Sequence, residues 1–184
     1  MARLVCESRV GSLVNLHVGG QEPKDGWKIL NIQPGPHVDY VGDLRDLSRF
    51  ADGSIDNIYA SHVLEHVGQA QVLTVLRGVH RSLKPGGKFL VSVPDLDVLC
   101  HLFISPLAPK EVKWHTMRMM FGGQVDPHDF HYTGFNESFL RDFLAQANFC
   151  EVLRVQSLGI FKDTSEYQPY GFPISLNLIA TKKQ

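Results

Sequence analysis

The chain has 184 residues, of which 43% are hydrophobic, with 18 lysine and arginine residues against 19 aspartate and glutamate residues. This length and apolar content suit one globular domain with a full core, and we expect residues 1–184 to form a single domain. The net charge of -1 lacks the basic excess of a protein that follows phosphate backbones, so nucleic acid is not an expected partner.

Short apolar runs, each ended by glycine, proline or polar residues, predict buried strands in the first half of the chain. They lie at 13–18, 27–32, 38–42, 55–60 and 88–93. Between the last two, apolar residues recur every three to four positions over 63–83, which predicts a helix with one core-facing side. A strand, a helix and a strand in this order form a right-handed parallel unit, so we predict an α/β fold with its functional site at the carboxyl ends of the strands.

The second half of the chain is predicted to hold three helices and two closing strands. The helices lie at 96–103, 109–121 and 135–148, and the strands at 150–158 and 174–182. Asn136 is the expected cap of the third helix, and we expect one closing strand to be antiparallel.

The segment 162–177 is too long and too rich in proline and glycine for a hairpin turn. Loops of this kind often form lids or partner contacts. We favour the simpler interpretation, in which Tyr167, Tyr170 and Phe172 pack on the domain.

The cysteines and the apolar runs bear on the cellular setting. Cys6, Cys100 and Cys150 are far apart and form no C-x-x-C pair, so the sequence predicts neither a disulfide framework nor a cysteine zinc site. No apolar run approaches the roughly 20 residues of a membrane span, and the first residues lack the apolar region of a signal peptide. We therefore expect a cytoplasmic protein with no membrane partner.

Four stretches in the same order resemble the S-adenosylmethionine-dependent methyltransferases of the Rossmann-like class I, near the small type 11 group. They are the glycine turn after the first predicted strand, "VGDLRDL" (41–47), "DGSIDNIYASHVLEHV" (52–67) and "LKPGGKFLVSVPDL" (83–96). The resemblance implies a doubly wound, mostly parallel seven-stranded sheet in the order 3-2-1-4-5-7-6, with strand seven antiparallel. It also implies S-adenosylmethionine as the cofactor.

The first part of the implied cofactor site is the turn at Gly19 and Gly20. Glycines let the backbone turn tightly beside a ligand because no Cβ intrudes. Where the family usually has an acidic residue followed by three glycines, this chain has His17 and two glycines. Gln33 stands where the family has an acidic residue for the ribose hydroxyls, and an amide accepts hydrogen bonds without charge assistance.

The resemblance places the rest of the cofactor site after the third and fourth strands. Asp43 matches the family's acidic residue near the adenine amino group, with Leu44 beside it as an apolar wall. Asp43 could instead be a solvated residue that caps the following turn. Ala60, Ser61 and His62 would line the other side of the ligand.

The link between the first two predicted strands is unusually short. From Gly19 to Trp27 it lacks the dozen or so residues of a parallel crossover, so the first crossover must be abbreviated. Part of the cofactor pocket would then be open, or covered by a second subunit in a homodimer.

The stretch "ASHVLEHVG" contains His62-x-x-Glu65-His66, the H-x-x-E-H spelling of one class of zinc peptidase. In the resembled family the same stretch leads from strand four into the next helix, so we interpret the spelling as coincidental and predict no metal. His66 would then be structural and His62 a pocket residue. Because residues four apart share a helix face, a zinc-dependent hydrolase stays as the lesser alternative.

Methyl transfer from a sulfonium requires mainly alignment, and removal of a proton where the acceptor is a hydroxyl. The loop 121–135 follows the fifth strand, where the family keeps its acceptor pocket. Histidine titrates near neutrality, so His128 and His131 are the predicted catalytic residues. Their spacing would also permit a metal with Asp126, and a purely structural role in the loop is the other reading.

The sequence thus predicts S-adenosylmethionine-dependent methyl transfer to an oxygen or nitrogen of a small-molecule or glycan acceptor. The missing third glycine and Gln33 keep a second hypothesis open: a methyltransferase-like scaffold or subunit that has lost cofactor binding.

Overall fold

The computed structural model describes residues 14–184, so Cys6 and the first residue of the predicted strand 13–18 lie outside the described part. Seven strands are found there: β1 Asn15–Val18, β2 Trp27–Asn31, β3 Tyr40–Val41, β4 Ile55–Ser61, β5 Leu83–Pro94, β6 Phe149–Val155 and β7 Ser175–Lys182. The α-helices are α1 Val72–Ser82, α2 Leu96–Ile104, α3 Lys110–Phe121 and α4 Glu137–Gln146.

All these strands belong to one sheet in the order β3-β2-β1-β4-β5-β7-β6. The neighbours among β1 to β5 pair in parallel, whereas β7 is antiparallel to both β5 and β6. The predicted strand order and the antiparallel seventh strand are confirmed. The sheet therefore brings the carboxyl ends of β1, β2 and β4 side by side.

One face of the sheet is covered by the principal core, which α1 and α4 close. Successive side chains of a strand point to opposite faces, so residues such as Leu16, Ile58 and Val91 share this side. Leu76 of α1 and Leu140 of α4 complete it, and all five side chains are fully buried. This packing is the main apolar contribution to the stability of the fold.

Two helices begin at capping side chains. The side-chain oxygen of Asn136 accepts the backbone N–H of Phe139 at 3.0 Å, which confirms the predicted cap of α4. Asp95 caps α2 in the same way through the N–H of Asp97. No helix among residues 14–184 combines the length and the apolar character that crossing a bilayer requires.

Among residues 14–184, the opposite face of the sheet packs against the segment between β6 and β7, and no α-helix contributes to that apolar cluster. Phe161 of this segment stacks on His17 with ring centroids 3.9 Å apart, and its ring also contacts Tyr59 (4.9 Å) and Trp27 (5.2 Å) edge-on. The hydroxyl of Tyr59 donates to Asp163 at 2.8 Å. These contacts attach the segment to the sheet.

The aromatic residues predicted to pack this segment on the domain do so only in part, through contacts of Tyr167 and Tyr170 with His115 of α3. Tyr167, Tyr170 and Phe172 remain 45%, 49% and 42% exposed. Phe161 performs that packing, because it lies directly over the outward-facing rings of β1, β2 and β4.

The first crossover is abbreviated, as predicted. Residues 19–26 join β1 to β2 without a helix, although the two strands are parallel neighbours. β1 has four residues, so the return path is only about 13 Å at roughly 3.3 Å per residue. When extended, the eight residues 19–26 can span about 26 Å, which is roughly twice the return path.

The helix predicted over 63–83 is wrong in its first part, because α1 begins only at Val72. The preceding residues form two single 3-10 turns. Here the carbonyl of Glu65 accepts the backbone N–H of Thr133 at 3.2 Å, and the carbonyl of Val67 accepts its hydroxyl at 2.7 Å. A helix would need these carbonyls for its own bonds, so the tertiary contacts replace the helical ones.

The buried imidazole of His17 predicts a loss of stability in acid. Burial lowers the pKa of His17 from 6.5 to about 4, and the negative charge of Asp163 opposes this shift only in part. Between those pH values the unfolded chain binds more protons than the folded one. The free energy of unfolding should therefore fall as pH falls through this window, by up to about 3 kcal/mol from this group.

The measurement is urea unfolding of the wild type and of His17→Phe at pH 7 and at pH 4.5. The variant keeps an aromatic ring against Phe161 but does not titrate, so its stability should fall less between the two pH values. An equal fall in both proteins would contradict this assignment.

Candidate functional site

A cavity of about 420 Å³ opens at the carboxyl ends of β1, β2 and β4. This volume lies within the range of roughly 300–1,000 Å³ typical of small-molecule sites, and the position is where open α/β sheets bind ligands. The predicted site residues that line it are Gly19, Gln33, Asp43, Leu44, His62 and His128.

Gly19 must be glycine at the mouth of the turn that follows β1. Its φ of +79° lies in the left-handed region, which disfavours side chains. A Cβ there would also lie 2.7 Å from Cγ2 of Val63, a residue that lines the cavity too. A side chain at this position would therefore close the gap between the turn and the opposite wall.

Three of the predicted cofactor residues do not reach the cavity. Gly20 packs under the ring of His17, since a Cβ there would lie 2.3 Å from its Nδ1. Ala60 is fully buried in the principal core. Ser61 has a buried hydroxyl, on the same side of β4 as Tyr59 and therefore toward the face that Phe161 covers.

Asp43 is held by its neighbour Arg45. Nε of Arg45 donates to Oδ2 of Asp43 at 2.9 Å, and the backbone N–H of Arg45 donates to Oδ1 at 2.8 Å. Burial would raise the pKa of Asp43, but the bonds and charge of Arg45 outweigh it and hold that pKa below its ordinary value. The carboxylate is thus ionised and fixed in direction at the cavity wall.

His62 marks the point at which β4 ends, and its backbone is left-handed with φ +53°. This conformation is uncommon for a residue with a side chain, although histidine adopts it more readily than most. Its Nε2 lies 2.9 Å from the hydroxyl of Ser175, and its Nδ1 lies 3.3 Å from Oε1 of Glu65. The turn therefore directs the ring between β7 and the residues after β4.

Glu65 is a functional candidate that the sequence interpretation kept only within the lesser alternative of a zinc-dependent hydrolase. It is 1% exposed, and neither carboxylate oxygen has a hydrogen-bond donor among the described residues. Burial would raise its pKa, but the positive charge of His62, His131 and His66 in their protonated forms outweighs that effect and lowers it. The signal available in the sequence was a charged residue within a stretch whose apolar spacing predicts a core-facing helix.

The two predicted catalytic histidines separate in the structure. His128 is exposed at the cavity, with its backbone N–H donating to Asp126 at 2.7 Å. His131 is turned away from the cavity, and its Nδ1 donates to the carbonyl of Met119 at 3.0 Å. Burial lowers the pKa of His131, although the charge of Glu65 opposes this. Of the pair, His128 alone stands where it could meet an acceptor.

Of the two metal sets considered from the sequence, Asp126, His128 and His131 do not converge, whereas residues of the H-x-x-E-H set do. In the part of the chain that the structure describes, the group of three potential ligands that converges is Glu65, His66 and His131, with one ligand atom of each within 4.8 Å of the others. His131 therefore joins residues of the H-x-x-E-H stretch instead of Asp126 and His128.

The known proteins that this chain resembles are methyltransferases. The family model of a methyltransferase domain, type 11, matches residues 24–91. An uncharacterised methyltransferase of Synechocystis is 32% identical over 102 residues, which cover 52% of this chain and 47% of that protein. The chain thus matches about half the length of this curated relative.

Solved structures share the whole fold. An S-adenosylmethionine-dependent methyltransferase from Archaeoglobus fulgidus has a TM-score of 0.61 at 16% identity, covering 94% of this chain and 87% of that one. The 1,6-didemethyltoxoflavin N1-methyltransferase of Burkholderia thailandensis, solved with 1,6-didemethyltoxoflavin and S-adenosylhomocysteine, has a TM-score of 0.58 at 18% identity. It covers 93% of this chain and 71% of that one.

The chain has the fold of the class I, Rossmann-like methyltransferases. Within this methyltransferase fold, the sequence interpretation missed Asn31 at the end of β2. Its amide donates to the carbonyl of Gly20 at 2.9 Å, and its side-chain oxygen accepts the N–H of Gln33 at 2.9 Å. Asn31 therefore joins the turns after β1 and β2. Its signal in the sequence was an amide residue near the end of an apolar run.

Gly19→Ala tests the narrow gap beside Val63. Gly159 has a similar positive φ, +67°, but a Cβ there would meet nothing within 4 Å, so Gly159→Ala is the matched control. Both changes should cost about 1 kcal/mol in unfolding free energy for the backbone conformation.

Only Gly19→Ala should also weaken S-adenosylhomocysteine binding, by about tenfold or more, as measured by calorimetry. Equal affinities in the two variants would show that a ligand does not need the space beside Gly19.

Proposed function

We propose that this protein transfers a methyl group from S-adenosylmethionine to an oxygen or nitrogen of a small-molecule or glycan acceptor. The observation that carries the proposal is the cavity of about 420 Å³ at the carboxyl ends of the strands, with the Gly19 turn and Asp43 both in its lining. The cavity is present although the first crossover has no helix.

The chemistry of the lining suits a nucleoside. Gly19 leaves the backbone approachable, and the side-chain carbonyl of Gln33 can accept from hydroxyl groups. Asp43 offers an ionised acceptor for an amino group. Leu44, 2% exposed, supplies an apolar surface beside it.

The contact between Arg45 and Asp43 is compatible with ligand binding. A carboxylate has about four acceptor positions, and Arg45 occupies three of them through its backbone N–H and two side-chain donors. One position on Oδ1 remains for a ligand. In this proposal Arg45 fixes the direction of the carboxylate.

Bound S-adenosylmethionine would supply a methyl group on an already activated leaving group. The residues of the chain then have to orient the acceptor and, for a hydroxyl acceptor, remove its proton. His128 is the proposed base, because it lines the cavity and its loop is fixed by the bond from its N–H to Asp126. Tyr132 lies in the same lining and could orient the acceptor.

A scaffold that no longer binds the cofactor is the second candidate. The pairing of Asp43 with Arg45 and the packing of Gly20 under His17 favour it, because both use residues that the family pattern assigns to the ligand.

A homodimer covering the open side of the cavity would fit either function. Among the compared structures, a chain from the complex of the Haloferax volcanii Trm112 methyltransferase activator with a methyltransferase has a TM-score of 0.55 at 14% identity, covering 94% of this chain and 84% of that one.

Calorimetry with S-adenosylhomocysteine distinguishes the two candidates. The wild type should bind one equivalent, and Asp43→Asn should bind about tenfold or more weakly, because a hydrogen bond to a charged group contributes roughly 1.5–3 kcal/mol. Asp46→Asn is the matched control, since Asp46 lies in the same turn and bonds only within it. Failure of the wild type to bind would leave the scaffold as the function.

His128→Gln tests the proposed base, once an acceptor has been found by mass spectrometry of methylated products. With a hydroxyl acceptor kcat should fall by about 10²–10⁴-fold, the usual contribution of general base catalysis, while the affinity for S-adenosylhomocysteine stays the same. An unchanged kcat would remove His128 from the mechanism. His101→Gln, at an exposed position of α2, is the control.

A further inference from the structure

The carboxylate of Glu65 lies in an unusual environment. It is 1% exposed, and neither oxygen accepts a hydrogen bond from any described residue. An ionised group buried without a donor or a cation is costly, and most buried polar groups in folded proteins are paired. The arrangement around Glu65 therefore calls for a positively charged partner.

The imidazoles of His66 and His131 are oriented by backbone carbonyls. Nδ1 of His66 lies 3.0 Å from the carbonyl of Phe130, and Nδ1 of His131 lies 3.0 Å from the carbonyl of Met119. A carbonyl can only accept, so in each ring Nδ1 carries the proton. In the neutral ring Nε2 is then the nitrogen with a free lone pair, and in His131 it lies 4.0 Å from Oε1 of Glu65.

The ring of His62 is also oriented by a hydrogen bond, at its Nε2. The hydroxyl of Ser175 donates to the carbonyl of Thr164 at 2.9 Å, so its oxygen must accept from Nε2–H of His62. In the neutral ring that bond leaves Nδ1 as the acceptor nitrogen, 3.3 Å from Oε1 of Glu65. The carboxylate of Glu65 thus faces nitrogen atoms of neutral imidazoles that carry no proton, because the N–H of each ring points away from it.

We propose that Glu65, His66 and His131 bind a divalent transition-metal ion of the zinc class, with His62 as the candidate fourth ligand. Histidine ligands of zinc characteristically donate their other N–H to a carbonyl or similar acceptor, as these rings do. One ligand atom of each of the first three lies within 4.8 Å of the others. Zinc bonds of about 2.0–2.2 Å place tetrahedral ligands about 3.3–3.6 Å apart, so the most distant pair of ligand atoms would have to approach by about 1–1.5 Å.

The proposed metal lies beside the cavity, because His62 and His66 also line it. It would join the end of β4 to the loop that carries His128. The backbone already connects the same two segments, through the N–H of Tyr132 donating to the carbonyl of Glu65 at 2.8 Å. The proposal rests on these contacts and not on methyl transfer, so it can fail or hold independently of the proposed function.

The test uses the full chain, stripped with a chelator and titrated with Co²⁺ and then Zn²⁺. The visible absorption of Co²⁺ reports its ligands, and Zn²⁺ should displace it at one equivalent. Glu65→Gln and His131→Gln should weaken binding by more than the roughly 10–100-fold loss that follows removal of an outer hydrogen-bond partner. His101→Gln, which leaves the cluster intact, should bind like the wild type.

A second measurement on the wild type needs no variant, in case the buried substitutions prevent folding. X-ray absorption of the zinc-loaded protein should show imidazole and carboxylate ligands at about 2.0–2.2 Å. Binding below a tenth of an equivalent, a ligand shell of water alone, or unchanged affinity in folded Glu65→Gln and His131→Gln would each overturn the proposal.

Discussion

The buried carboxylate of Glu65 and the backbone around it determine how the chain leaves strand β4. The turn at His62 brings Glu65 inside the protein, and its carbonyl accepts the backbone N–H groups of Tyr132 and Thr133. Those bonds hold the loop after α3 against the end of the sheet. The wall of the cavity that carries His128 therefore depends on a short non-helical segment that the sequence pattern alone assigns to a helix.

The opposite face of the sheet is covered although no α-helix lies between β1 and β4 in the described part of the chain. In place of a helix, Phe161 covers the rings of His17, Trp27 and Tyr59. Aromatic side chains bury a large area each, so a short irregular segment can exclude water from this face. His17 occupies the position at which the resembled family has an acidic residue, and here its neutral ring serves packing.

The sequence was informative wherever local pattern and global fold agree. Apolar runs ended by glycine and proline located the strands, and the capping pattern located Asn136. Strand order came from the resemblance, because pairing between distant strands leaves no local signal. The helix over 63–71 was mispredicted because the carbonyls of Glu65 and Val67 bond to a loop more than sixty residues away.

The site shows the same division between local and long-range information. Gly19 and Asp43 could be chosen from turn chemistry and resemblance, whereas Asn31 acts by joining two turns that meet only in the folded chain. Gly20 was chosen for its closeness to a ligand, but His17 occupies that space. These contacts depend on the register between strands, which cannot be read from the sequence.

We propose that the cavity beside the Gly19 turn is a nucleoside site, and a crystal structure of the protein with S-adenosylhomocysteine is the decisive test. We expect the adenosyl group between Gly19 and Asp43, with the amino-acid end of the ligand toward His62. A structure in which side chains of the protein fill that space, or in which the ligand binds elsewhere, would contradict it.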